Sequence, residues 1–149
     1  MSILLGMSEA ASLAIHTMAY LANNEERRVP NNEIASFLHG SIDHLAKVLG
    51  RLSKAGLIRS TRGPSGGSML LKPAEEIKLL EIFEAIEGSF SPYGCPLEKN
   101  KDKHDMCPLG SLFEETQQKF YHFFSETTVR DFAVKSKVGV KHDTKNRPD

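Results

Sequence analysis

The sequence predicts a mainly α protein with one small β-hairpin: a winged helix-turn-helix followed by a long C-terminal dimerisation helix. Three observations predict it. Apolar residues recur at Ile42, Leu45, Val48, Leu49 and Leu52, one face of a helix, just after a shorter helical pattern. Two short β-prone runs, residues 57–61 and 69–72, flank Arg62-Gly63-Pro64-Ser65-Gly66-Gly67-Ser68, a stretch too rich in Gly and Pro to be anything but a turn. Residues 109–126 then carry Leu112, Phe113, Phe120, Tyr121 and Phe124 on overlapping helical faces, more aromatic surface than one helix needs against so small a partner.

The elements follow in order. Ser8 opens a first helix with Leu13, Ala14, Met18, Leu21 and Ala22 on one stripe, ending near residue 23. Residues 24–28 are a polar loop, and Pro30 and Asn31 start a second helix that turns Ile34, Ala35 and Leu38 inward. His39 and Gly40 form a tight connection, Ser41 caps the third helix and Gly56 ends it. Pro73 restarts helical structure, with Ile77, Leu80, Ile82, Phe83 and Ile86 buried and Gly88 as the stop. Residues 89–108 change character, with three prolines and a dense charge cluster that exclude a regular element. After the long helix, residues 128–134 form a short segment that folds back on it. The expected organisation is a DNA-binding unit over 1–88, a sensor loop over 89–108, a dimerisation helix with its return segment over 109–134, and a flexible tail over 135–149.

Composition limits the function. The chain has 149 residues, 40% hydrophobic and 26% charged, the balance of a globular protein with one domain or a domain plus an extension. Its formal net charge is zero, so affinity for nucleic acid requires segregated charge. Segregation is present. Lys47, Arg51, Lys54, Arg59, Arg62 and Lys72 run without an intervening acid, and Glu75, Glu76, Glu81, Glu84 and Glu87 follow. A basic helix joined to a basic Gly-rich turn suits a polyphosphate backbone better than a merely solvated face. No apolar run approaches the roughly 20 residues that cross a membrane, and MSILLGMSEAAS lacks the pattern of a signal peptide. Two cysteines are too few for a disulfide-built fold, so a cytoplasmic location is expected.

Chemistry concentrates in two places. On the third helix Ser41, Asp43, His44 and Lys47 lie opposite the apolar stripe, where base edges would meet them, with Arg51 nearer phosphate. Arg59, Arg62 and Gly63 belong to the hairpin, and Arg62 at its tip is placed to enter the adjacent minor groove. In the loop, Cys95 and Cys107 frame Glu98, Asp102, His104 and Asp105. Two thiolates and an imidazole suit zinc or a 2Fe–2S centre of mixed ligation, and the same thiols could form a redox disulfide. No phosphate-binding loop, HExxH or nucleophile elbow is present, so the chain is not read as an enzyme. A metal-binding or interaction adaptor that does not bind DNA is the other class, and sequence-selective, salt-sensitive binding to duplex DNA separates the two.

With these residues in place, Ser41-x-x-His44-Leu45, Lys54-Ala55-Gly56-Leu57, Arg62-Gly63-Pro64-x-Gly66-Gly67 and Ile82-x-x-Ala85-Ile86-Glu87-Gly88 resemble the Rrf-two family of bacterial transcription regulators. The likeness extends from Met7 to about Phe132. It implies a winged-helix homodimer, held by the long helix through Leu112, Phe113, Phe120 and Phe124, that binds palindromic duplex operators and most simply represses. It also implies an iron–sulfur cluster in the loop, with zinc or no metal as alternatives and a small molecule or partner protein as the signal of a clusterless form. Cys95 and Cys107 match the first and third cysteines of that family, and the middle position is Lys101. Some members complete the cluster from helix 1 of the second chain with an acid and a histidine; that register gives Ser12 and His16 here, with Glu9 a turn earlier. Ser68 stands where an aromatic residue is usual.

Overall fold

The computed structural model describes residues 7–90 and 108–137, folded as six helices and a two-stranded hairpin among those residues. At the centre lies α1 (Glu9–Ala22), capped by Ser8, whose hydroxyl accepts from the Ala11 amide at 3.1 Å. Ala11, Ala14, Ala19 and Ala22 are all buried, and their small side chains let neighbouring helices approach α1 closely. Helix α2 (Asn31–Phe37) is tied to α1 by the Tyr20 hydroxyl, which donates to Glu33 at 2.8 Å. Burial, then that carboxylate, push the Tyr20 phenol above its ordinary range. His39 adopts φ +52° in the tight turn before α3 (Ile42–Lys54).

Leu45, Val48, Leu49 and Leu52 of α3 are buried as the periodicity requires. Ile42, expected on the same stripe, is 51% exposed. It sits on the Leu49 side of α3 but at the first turn, where it lines an open cleft with Leu49 instead of entering the core.

The hairpin pairs β1 (Ile58–Thr61) with β2 (Gly67–Leu70) in antiparallel register, Ile58 opposite Leu70 and Thr61 opposite Gly67. β2 thus begins two residues before the sequence pattern suggests. The cause is a partner from outside the hairpin: Val29 donates to the Ser68 carbonyl at 2.9 Å and accepts from its amide at 2.8 Å. Gly67 runs at φ +156°, and a Cβ there would lie 2.4 Å from the Val29 carbonyl oxygen, so this close crossing requires glycine.

Helix α4 (Leu79–Glu87) starts later than Pro73 predicts. Pro73 opens a turn closed by the Glu76 amide at 2.9 Å, and Ile77 and Lys78 are extended. They pair with the chain returning from α5 (Pro108–Glu126): Val129 donates to Ile77 at 2.8 Å and Leu79 to Thr127 at 3.0 Å. Leu79 joins the core, which periodicity had not included.

The return segment is a full helix, α6 (Val129–Ser136), capped reciprocally by Thr128 and Asp131 at 3.1 Å each way. It packs on α1, not on α5, and buries Val129 and Ala133 there. It also runs through Lys135 and Ser136, which the sequence pattern assigns to the tail. Arg130 fastens it: Nη1 donates to the Ala22 carbonyl at 3.0 Å, Nε to Glu75 at 2.9 Å, and Nη2 pairs with Glu25 at 2.9 Å. Helix α5 lies against α4 through an aromatic cluster, with Phe83, Phe90 and Phe124 around Phe120 and a stacked Phe120–Phe124 pair 4.1 Å apart. Phe124 is only 7% exposed within a single chain. The large apolar side chains that α5 leaves exposed are Leu109, Leu112, Tyr121 and Phe123, of which Leu112 belongs to the expected dimer face. No helix among the described residues is long and apolar enough to cross a membrane.

Candidate nucleic-acid interface

A cleft of about 870 Å³ runs between α3 and the hairpin. One wall is the side of α3 bearing Ile42, Ala46, Gly50, Ser53 and Lys54; the other is Thr61, Arg62 and Gly63 at the hairpin tip. Pro30, Asn31 and Asn32 close one end. Its lining contains no Asp or Glu, and Lys54 and Arg62 give it positive charge. Lys47, Lys54, Arg59 and Arg62 are all exposed and have no carboxylate partner among the described residues. Two of these cations, Lys54 and Arg62, line the cleft itself, which favours a polyanion over a neutral ligand.

The residues singled out in the sequence divide between three environments. Asp43 and Lys47 lie exposed on α3, and Arg59, Arg62 and Gly63 lie exposed on the hairpin. Arg51 does not point at the cleft: its Nη1 donates to the Ile86 carbonyl at 3.0 Å. Ser41 caps α3 by accepting from the His44 amide at 3.5 Å. Ser41 and His44 line a separate pocket of about 300 Å³ against α1, together with Glu9, Ser12, His16 and His39. Sequence reasoning missed Asn31, Ala46, Gly50 and Ser53. The last three recur at helical spacing as a stripe of small residues, a signal of close approach that the apolar stripe overshadows.

The metal question rests partly outside the described residues, where Cys95, His104 and Cys107 lie. His16 is described. Its Nδ1 is 2.8 Å from the Ser12 carbonyl, which can only accept, so Nδ1 carries a proton and the neutral ring has its lone pair on Nε2. A backbone-oriented imidazole of this kind has the tautomer of a metal ligand. Its ring also meets the edge of Phe132 at 5.5 Å. Among the described residues no three His, Cys, Asp or Glu side chains are grouped to hold a metal ion.

Known proteins share this arrangement. The family model for Rrf2, described as an iron-dependent transcriptional regulator, matches residues 7–135. A protein of Aquifex aeolicus (strain VF5), classed by name among HTH-type transcriptional regulators, is 32% identical over 127 residues, covering 83% of this chain and 88% of that one. The HTH-type transcriptional regulator IscR of Serratia proteamaculans (strain 568) is 27% identical over 124 residues, covering 83% and 76%. In fold the chain is similar to CymR (YrzC), the global cysteine regulator of B. subtilis, with a TM-score of 0.74 at 24% identity over 88% of this chain and 98% of that one. Three helices, a glycine-edged wing and a family match over nearly the whole folded chain lead to one conclusion: the protein belongs to the Rrf2 family of helix-turn-helix transcriptional regulators, and its family is not one of enzymes.

Proposed function

We propose that the protein acts in the cytoplasm as a homodimeric repressor that binds palindromic duplex operators, with α3 in the major groove and the wing against the adjacent minor groove. The observation that carries this reading is the acid-free cleft between them, edged by Lys54 and Arg62, which have no carboxylate partner among the described residues. A duplex offers phosphates on both sides of each groove, and a helix with a wing spans one such strand. The test is operator selection from random duplexes, followed by fluorescence anisotropy across a salt series. Sequence-selective binding is expected, with log K falling linearly in log salt at about 0.9 per phosphate neutralised. Equal weak affinity for all duplexes would sink it.

The switch in this reading is a redox-active iron–sulfur centre held by Cys95 and Cys107, with His104 and the lone pair of His16 from a second copy as nitrogen ligands. Support comes from the family's description as iron-dependent and from the tautomer fixed at His16. When bound, such a centre supplies a reversible one-electron change close to the dimer helix. A second reading, a clusterless switch, is favoured by Lys101 at the middle cysteine position of the family, since an ammonium cannot replace a thiolate ligand. Anaerobic purification with a visible spectrum and assays of iron, sulfide and zinc decides between them: a coloured, iron- and sulfide-bearing protein supports the centre, and a colourless metal-free one supports the second reading.

A further inference from the structure

Ser68 is the residue from which the next step follows. It is a polar side chain at 0% exposure, in a position where the family resemblance leads one to expect an aromatic ring. A buried hydroxyl is costly unless bonded, and this one is bonded twice: Ser60 Oγ lies at 2.7 Å and Asn31 Oδ1 at 3.1 Å. A serine has one proton to give. Ser68 gives it to the Asn31 carbonyl oxygen, so Ser60 must be the donor in the other bond. The chain Ser60 to Ser68 to Asn31 therefore has a direction, and it turns the amide oxygen of Asn31 toward the hairpin and leaves its NH2 on the other side.

That NH2 has no hydrogen-bond acceptor among the described residues, and Asn31 lies on the wall of the cleft. The same cleft holds Lys54 and Arg62 and no carboxylate. Space is available opposite, because a Cβ built on Gly50 would meet nothing within 4 Å. An oriented neutral donor among cations suits an anionic oxygen, and adds position more than attraction.

We infer that Asn31 is a phosphate-binding residue, aimed by the buried Ser60–Ser68 hydroxyl chain, and that the cleft between α3 and the wing seats one sugar–phosphate strand of the duplex. This rests on the DNA-binding reading above and assigns the residue that fixes the register of the strand.

The test measures anisotropy of the full chain on its selected operator, and on operators in which each phosphate in turn is replaced by a neutral methylphosphonate. Asn31→Ala should weaken binding about tenfold, as expected for a lost hydrogen bond to a charged group. One methylphosphonate per half-site should weaken the wild type by at least that factor and weaken Asn31→Ala by clearly less, the remainder being the lost attraction of Lys54 and Arg62. Asn31→Asp should lose more than Asn31→Ala, because a carboxylate repels the phosphate. Ser68→Ala should lose affinity at the same phosphate, with thermal melting by circular dichroism showing that the fold persists. Wild-type affinity in Asn31→Ala, or losses that simply add between protein and methylphosphonate, would overturn the assignment. A wild type that selects no duplex would instead defeat the functional reading, and this inference with it.

Discussion

Arg51 donates from Nη1 to the carbonyl oxygen of Ile86 at 3.0 Å, which joins α3 to the last turn of α4. Carbonyls of a last turn lack partners within their own helix, and the negative end of the helix dipole favours a cation there. An arginine on the helix that lines the cleft is thereby used for structure. Arg51→Ala should lower stability by about 1–2 kcal/mol in chemical denaturation, with Arg51→Lys recovering part of the loss. Operator affinity, measured well below the unfolding transition, should fall less than in Lys47→Ala. A larger affinity loss in Arg51→Ala than in Lys47→Ala would return Arg51 to the phosphate backbone.

The wing should distinguish its glycines. At Gly67 a new Cβ would lie 2.4 Å from a backbone oxygen that cannot move alone, whereas at Gly63, φ +105°, nothing lies within 4 Å. Gly67→Ala should cost about 1–3 kcal/mol and loosen the hairpin from Val29, seen as faster hydrogen exchange at the Ser68 amide. Gly63→Ala should cost about 1 kcal/mol, the strain of the left-handed region alone. Equal exchange at Ser68 in both variants would contradict the close crossing.

The dimer prediction keeps Leu112 and replaces Phe120 and Phe124 with Phe123, because those two rings pack within the chain. Leu112 and Phe123 are 55% and 52% exposed and lie three turns apart on the same side. Changing both to Glu should yield folded monomers in analytical ultracentrifugation, with secondary structure retained. Phe124→Ala should instead destabilise the chain itself, by about 3–5 kcal/mol, because it empties the cluster under α5. A Leu112→Glu, Phe123→Glu protein that still sediments as a dimer would place the interface elsewhere.

Acid should release α6 before the rest. The Thr128 amide, then its hydroxyl, hold the Asp131 carboxyl below its ordinary range. Glu75 is lowered by its own backbone amide and then by Arg130, whose guanidinium stays charged throughout. A carboxyl depressed in the folded state contributes stability that is complete above its unfolded value, near 4, and disappears as pH falls through the folded value. Amide exchange at Phe132 and Ala133 should therefore accelerate below about pH 4 while that at Leu45 and Val48 stays slow. Asp131→Asn should make the Phe132 exchange faster at neutral pH and less sensitive to acid.

How much of this was legible depended on the range of the interaction. α1, α3 and α5 follow from helical periodicity and short caps, signals held within each segment. The start of β2, the start of α4 and the position of α6 do not, because each is set by a pairing between distant segments: Val29 with Ser68, and Ile77 with Val129. At the candidate interface the basic block was readable as charge. The aim of its members was not: Arg51 turns to α4, His44 lines the pocket of His16, and Asn31 acquires its meaning only from a serine on the hairpin.

The pairing of Leu79 with Thr127 has a consequence for how the molecule is built. The chain leaves the C-terminal end of α4 at Gly88 and meets its N-terminal end again at Thr127, so both meetings are on one helix about 13 Å long. Between those ends α5 also lies along α4 through Phe83, Phe120 and Phe124, so the stretch is held to that helix along its return as well. The length of chain that precedes α5 can change with little cost to the part that carries the cleft, whereas a displacement of α5 is passed to α4 through that aromatic cluster. Arg51 joins α4 to α3, so that displacement reaches the helix that lines the cleft.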